Sequence, residues 1–185
     1  MNIIAAEIKR LDEVVAGFLK FARPEELKLQ PVLLSTVIHD VALTIMPEAQ
    51  RRRVTLREEV GNDLPTVNAD QGMLMQAVLN LAINALQAVP EGGALRLSCR
   101  RSSRRRVALV VQDTGVGIPP ENLPRIFDLY FTTKEKGSGI GLSMVFRTIQ
   151  LHDGEVEVQS TPGTGTTFRI LLPQATAGPT VLGLR

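Results

Sequence analysis

The 185-residue sequence contains no tryptophan, one tyrosine and one cysteine. A lone thiol cannot close an internal disulfide, so this chain suits a reducing compartment. Cys99 lies in an alternating segment and reads as a small buried side chain. No apolar run approaches the ~18 residues of a membrane span, and the N-terminus lacks a signal-peptide pattern. The sequence is therefore expected to be cytoplasmic, with no direct membrane contact of its own, which leaves open a membrane-anchored parent. Net charge is scarce too. With 21 Lys and Arg against 19 Asp and Glu, the formal charge of +2 names no partner. The basic residues gather in Arg51-Arg52-Arg53 and in Arg100-Arg101 with Arg104-Arg105-Arg106. The second run separates two strand-like segments and has no stacking aromatic nearby, so it reads as a solvated hairpin tip and no nucleic-acid partner is expected.

The composition, 44% hydrophobic and 22% charged, is that of a globular protein with one core and one appendage. Ile4, Ile8, Leu11, Val15, Phe18 and Ala22 recur at spacings of four and three. They form a heptad seam that predicts a helix over 2–22 and a homodimer through it. Pro24 ends that helix, and Glu25 to Pro31 reads as a linker. A second helical pattern, with Ser35 as its cap, spans Val32 to Arg53. His39 falls there without a neighbour to work with and reads as a surface residue. Strands are expected at Val54 to Val60 and Leu64 to Asn68, followed by an apolar helix after Asp70 that runs to about Val89. Paired strands follow at Ala94 to Arg101 and Val107 to Asp113, joined by a Ser102-Ser103 turn. A helix at Ile140 to Leu151 and a last strand pair, Glu155 to Ser160 and Thr166 to Leu172, complete the order. Without regular βαβ alternation this predicts an α+β, two-layer sandwich. The tail after Pro173 is small, polar and rich in Gly and Pro, and is expected to be disordered.

One stretch reads as a site. Asp113 to Leu142 opens with DTGVG and closes with GSGIG, two glycine-rich turns around an insert of about twenty residues. Such turns let backbone N–H groups approach an anion, and the second leads into a helix start, where the dipole favours phosphate. Asp113 can accept a hydrogen bond from an exocyclic amine such as that of adenine. It can equally close an Asx-turn. Lys134 carries a point charge suited to phosphate. On the apolar helix, Gln76, Asn80 and Asn84 share one face, and buried amides without partners cost about 1–3 kcal/mol each. An amide oxygen also suits Mg²⁺, which takes its other ligands from water and phosphate.

Together these segments resemble the sensor histidine kinases of two-component systems. QAVLNLAINAL is similar to their N box, DTGVGIP to their first glycine box, IFDLYFTTK to their F box, GSGIGL to their second glycine box and PGTGTTF to their closing segment. The helix ending in FLKFARP resembles the second helix of the family's dimerisation and phosphoacceptor hairpin. The resemblance implies a Bergerat-type fold, a mixed sheet with helices on one face. It divides the chain into a partial hairpin (1–23), a linker (24–31), an ATP-binding catalytic domain (32–173) and a tail (174–185). It implies ATP and Mg²⁺ as ligands and a mobile lid over 115–139. In that assignment Asn84 coordinates the metal and Asn80 supports the phosphate side. Asp113 binds adenine, with Gly115 and Gly117 around the base and Thr166 beside it. Lys134, Ser138, Gly139, Gly141 and Leu142 surround the phosphates, and Phe127 and Phe131 anchor the lid.

The implied activity is transfer of the γ-phosphoryl group of ATP to a histidine, then signalling to a response-regulator receiver domain. The family's acceptor lies on the first hairpin helix, which this sequence lacks. His39 and His152 both fall in the ATP-binding portion, so the chain is expected to need a separate phosphoacceptor helix as partner and to be inactive in autophosphorylation alone. Hydrolytic relatives, similar to gyrase, and serine kinases of the same fold place a glutamate where Asn80 stands, and an amide cannot serve as general base. A hydrolytic clamp, a serine kinase and a noncatalytic interaction module remain the alternatives at this level.

Overall fold

The computed structural model describes residues 27–102, 105–134 and 137–175. The heptad helix, its Pro24 stop, Ser103 of the hairpin tip and all but the first two residues of the tail lie outside these. The element order is β1 (Gln30–Val32), α1 (Leu34–Arg51), β2 (Thr55–Val60), β3 (Val67–Ala69), α2 (Gln71–Ala88), β4 (Ala94–Ser102), β5 (Arg106–Asp113), α3 (Gly141–Leu151), β6 (Glu155–Thr161) and β7 (Gly165–Pro173). A single 3₁₀ turn, Leu123–Arg125, interrupts the long connection from β5 to α3.

Five strands form one mixed sheet in the order β2-β4-β5-β7-β6. The β2–β4 pair is parallel and the other three pairs are antiparallel. Alternation assigns the two faces. Leu95, Leu97 and Cys99 of β4, Val107, Leu109 and Val111 of β5, and Phe168, Ile170 and Leu172 of β7 point into the core. On the other face lie polar residues such as Arg96 and Arg169, the latter pairing with Glu157 across the β6–β7 ladder at 3.1 Å. Helices α1, α2 and α3 cover the apolar face, the two-layer sandwich expected from the sequence.

Helix α2 is the centre of that layer, packed against both α1 and α3. Its Leu74, Ala77, Val78, Leu81, Ala82, Ala85 and Leu86 are buried, a stripe too wide for a helix covered on one side only. Asp70 caps it, accepting from the N–H of Met73 at 3.0 Å. Helix α1 repeats the rule with Leu34, Val37, Ile38, Val41, Ala42, Ile45 and Ala49 inward.

Three local expectations are corrected. Ser35 is not a cap: α1 starts at Leu34, after Leu33, whose side chain offers no hydrogen bond to the free N–H groups. The segment read as a linker ends in β1, which pairs antiparallel with β3 in a separate two-stranded sheet, Gln30 opposite Ala69. Short strands of this kind depend on partners far away in sequence. The predicted strand at Leu64 to Asn68 is correspondingly shifted to Val67–Ala69.

His39 is exposed, with Nδ1 3.3 Å from a Glu58 carboxylate oxygen. His152 is buried at the end of α3. Its Nε2 accepts the N–H of Asp70 at 2.9 Å, and its Nδ1 lies 2.6 Å from the Thr148 carbonyl. This pair of partners puts the ring proton on Nδ1 and ties α3 to the start of α2. Replacing His152 with Ala orphans a buried N–H and carbonyl, and is expected to cost on the order of 2–4 kcal/mol. Urea unfolding checks this; an unchanged midpoint would show that the link contributes nothing.

Candidate functional site

Between the covering helices, the β5–α3 connection and the ends of β5 and β7 lies a cavity of about 830 Å³. The register builds one wall. Asp113, the last residue of central strand β5, is opposite Thr166 of β7. Its Oδ1 accepts from the N–H groups of Gly115 at 2.7 Å and Thr166 at 3.3 Å. The Asx-turn and a place on the cavity wall therefore coexist, because one oxygen closes the turn while the buried carboxylate still lines the cavity. Burial raises the Asp113 pKa, and the N–H groups of Gly115 and Thr166 counter part of that rise. Thr166 is fixed by its hydroxyl, 2.9 Å from that of Ser160.

The first glycine turn is pinned to the β6–β7 hairpin. Gly117 has φ +73°, and a Cβ there would stand 2.3 Å from the Thr161 carbonyl oxygen. Gly163 donates to the Val116 carbonyl at 2.8 Å across the same junction. The second turn is closed against the preceding loop, where Tyr130 donates to the Gly139 carbonyl at 3.0 Å. Gly139, at φ +68°, also sits where a Cβ would overlap the Tyr130 backbone.

Ser138, Gly139, Gly141 and Leu142 line the cavity beside the start of α3. That helix carries no acidic residue in its first turn, and its leading N–H groups have no intrahelical acceptors. They present partial positive charge to the cavity.

A second polar wall comes from α2. Lys134 donates through Nζ to Asn84 Oδ1 at 3.2 Å and to Gln87 Oε1 at 2.6 Å. The residue is exposed as a whole, with its ammonium held against the two amides. That desolvation, with the nearby Arg52 charge, lowers the Lys134 pKa. Two neutral oxygens from one helix face thus already hold one cation.

The structure brings Asn84, Lys134, Asp113, Gly117, Phe131, Ser138, Gly139, Gly141, Leu142 and Thr166 to one cavity. Three predicted site residues are not on its wall. Asn80 accepts from Gln76 Nε2 at 3.3 Å along the surface of α2. Gly115 packs against Ala88 behind Asp113. Phe127 stacks on Phe146 with ring centroids 5.1 Å apart, joining the connection to α3. Phe131 lies under the Arg125 guanidinium, 4.6 Å from its ring centroid. Sequence reasoning missed Arg52 and Gln87. Gln87 was accessible to it, three residues beyond Asn84 on the same helix face. Arg52 was read only as part of a basic run.

Among the described residues no group of three His, Cys, Asp or Glu is placed to hold a metal ion, and no helix is long and apolar enough to cross a membrane.

Comparison with known proteins agrees with this geometry. Residues 69–176 match the family described as histidine kinase-, DNA gyrase B- and HSP90-like ATPase. The sensor histidine kinase ZraS of Salmonella typhimurium is 37% identical over 172 residues, covering 93% of this chain and 37% of ZraS. Full-length ShkA, crystallised with AMPPNP, is 34% identical and superimposes with a TM-score of 0.82 over 90% of this chain and 36% of ShkA. The histidine kinase ThkA, crystallised with the response regulator TrrA, is 25% identical with a TM-score of 0.78, over 94% of this chain and 50% of ThkA. The chain spans little more than a third of ZraS.

The pinned glycine turn gives a direct test of the site's framework. Gly117→Ala is expected to lose on the order of 1–3 kcal/mol of stability, read by urea unfolding. An alanine variant as stable as the wild type would mean that the turn can leave the hairpin freely.

Proposed function

Because the chain belongs to the histidine kinase-, DNA gyrase B- and HSP90-like ATPase family, among catalytic domains of sensor histidine kinases, we propose that it binds Mg-ATP and positions the γ-phosphoryl group for transfer to a histidine outside this sequence. The observation that carries this reading is the joining, in one cavity, of a buried carboxylate, a helix N-terminus and a lysine held on two amide oxygens.

In this reading Asp113 selects the base. Its Oδ1 is occupied by backbone N–H groups, which leaves Oδ2 to accept from an exocyclic amine, and guanine offers a carbonyl at the equivalent place. Lys134 and the N–H groups at the start of α3 receive the phosphates. The residues fit Mg²⁺. Asn84 Oδ1 is a hard neutral donor already facing a cation, and a lone amide ligand suits an ion that takes the rest of its shell from phosphate and water. When bound, that ion neutralises charge on the phosphate oxygens. For Asn84 to serve it, Lys134 moves from the amide to the phosphate, a short transfer from one oxygen to another. Asn80, one turn from Asn84 and bonded to Gln76, is assigned to the phosphate side in the same reading.

Neither histidine of this sequence fits the role of acceptor. His152 has both ring nitrogens engaged in the core, and His39 pairs with Glu58 on the surface. Among the described residues lining the cavity, Asp113 is the sole carboxylate, and it is committed to the base. The described lining therefore offers no free general base for water, which favours transfer to an imidazole, a nucleophile when neutral. In the whole protein the phosphoryl group passes from the histidine to the receiver domain of a response regulator, the class of partner present in the ThkA complex. In this reading the parent is a homodimer through the heptad seam of residues 2–22, and residues 115–139 act as a lid.

Two experiments test the reading. With γ-labelled ATP, no phosphohistidine is expected on this chain; stable label on His39 or His152 would overturn the assignment of the acceptor. For the base, Asp113→Asn retains Oδ1 for Gly115 and Thr166 but places a donor opposite the adenine amine. Calorimetry with Mg-ADP is expected to show a loss of about tenfold or more. The folded pKa of Asp113 is raised, so its ionised form costs stability at neutral pH, and that cost is relieved as pH falls through the folded value. The variant is therefore expected to melt no lower than wild type at pH 7. Wild-type affinity falls as acid protonates Asp113, beginning at a higher pH than for an ordinary aspartate. A variant that binds Mg-ADP like wild type would remove Asp113 from base recognition.

A further inference from the structure

The sequence carries three arginines in a row at the end of α1, and packing separates them. Arg51 and Arg53 are about three-quarters exposed at 74% and 77%, whereas the Arg52 side chain is 38% exposed and lines the cavity. Arg52 is the C-cap of α1, and its backbone N–H donates to the Glu48 carbonyl at 3.0 Å. Two further contacts aim its guanidinium. Nε donates to Glu48 Oε1 at 2.5 Å, and Nη1 donates to the Leu86 carbonyl of α2 at 3.3 Å. A flexible side chain is thereby held at both edges of its planar fork, which reduces the ordering cost of meeting a ligand.

We infer that Arg52 is a phosphate-binding residue that recognises the terminal phosphate of a nucleoside triphosphate, a role that rests on the nucleotide reading above. Asn84, Gln87, Lys134 and Arg52 all line the same cavity, and Gln87 follows Leu86, the residue whose carbonyl holds Arg52. Arg52 also acts electrostatically on Lys134, lowering its pKa. The two cations repel each other, and the carboxylate that Arg52 meets, Glu48, is not among the partners that hold the Lys134 ammonium, which are the neutral amides of Asn84 and Gln87. A polyphosphate removes that repulsion by bridging them. The two cations are not equivalent. Lys134 loses charge more readily because it is desolvated, while a guanidinium stays charged at every accessible pH and can meet two oxygens of one phosphate. Arg52 comes from α1, outside the glycine-rich stretch and outside the polar row of α2, so it closes the phosphate end from a third element. A residue so placed distinguishes ligands by the number of phosphates they carry.

Calorimetry on the full chain with Mg²⁺ and AMP, ADP or AMPPNP tests this in wild type, Arg52→Ala and Arg52→Lys. Arg52→Ala is expected to weaken AMPPNP by about tenfold or more while changing AMP by less than about twofold. Arg52→Lys should recover part of the AMPPNP affinity, because the charge returns without the fork. Equal affinity of wild type and Arg52→Ala for AMPPNP would overturn the inference. So would an equal loss for AMP and AMPPNP, which marks a structural role at the end of α1; a melting curve of each variant identifies that case. If wild type binds none of the three nucleotides, the nucleotide reading itself has failed, a result separable from failure of Arg52 alone.

Discussion

Helix α2 has to satisfy the core and the cavity at once, and this double demand fixes much of the rest. Its seven buried apolar residues are clamped by α1, α3 and the sheet. At ~100° per residue, any rotation that moved Asn84 and Gln87 off the cavity would drive polar amides into that core. The helix therefore has one workable orientation about its axis. Its ends are pinned as well, at one end by Asp70 and through it by His152, and at the other by the Ala88 carbonyl, which accepts from the Val116 N–H at 3.1 Å. A rigid amide pair is what a site needs if cations are to be placed within tenths of an ångström.

The opposite wall achieves rigidity through the sheet. Asp113 ends the central strand, and the β5–β7 register puts the Thr166 N–H within reach of the same oxygen that holds Gly115. Burying this carboxylate costs free energy, as its raised pKa records. The fold tolerates that cost because the charge is partly compensated by two backbone donors. The glycine turn after it is similarly over-determined, wedged on the hairpin at Thr161. Between them, the described part of the connection from Ile118 to Gly139 holds one 3₁₀ turn and is anchored by aromatic contacts at Phe127 and Phe131.

Much of this was legible because the signals were local. Alternation over Val107 to Asp113, the Asp70 cap and the amide row on an apolar helix each depend on residues within a few positions of one another. The misses share the opposite property. β1 exists only because β3 lies beside it, 39 residues away by the Gln30–Ala69 pairing. Asn80 and Asn84 look equivalent on a helical wheel, yet one bonds back to Gln76 while the other meets Lys134 from a loop. Nothing in Arg51-Arg52-Arg53 ranks the middle residue above its neighbours until α1 and α2 are packed together. Tertiary placement decides which residue of a periodic or repetitive run reaches a site.

That same placement bears on the chemistry. A hydrolytic site has to hold and deprotonate water, which requires a carboxylate or imidazole with its proton-accepting atom free and facing the reacting phosphate. Here the single cavity carboxylate among the described residues is bound to the backbone of the first glycine turn, and the buried histidine is locked between two backbone groups. The groups proposed to meet the phosphates, Lys134, the α3 N–H groups and Arg52, are donors and cations. They can bind, orient and neutralise a polyphosphate, and they cannot accept a proton at neutral pH. In the proposed reading, described walls of cations, N–H donors and neutral amide oxygens stabilise charge as it develops and leave nucleophilicity to the acceptor, which favours a group that is already a nucleophile. A neutral imidazole meets that condition, whereas water and a serine hydroxyl do not.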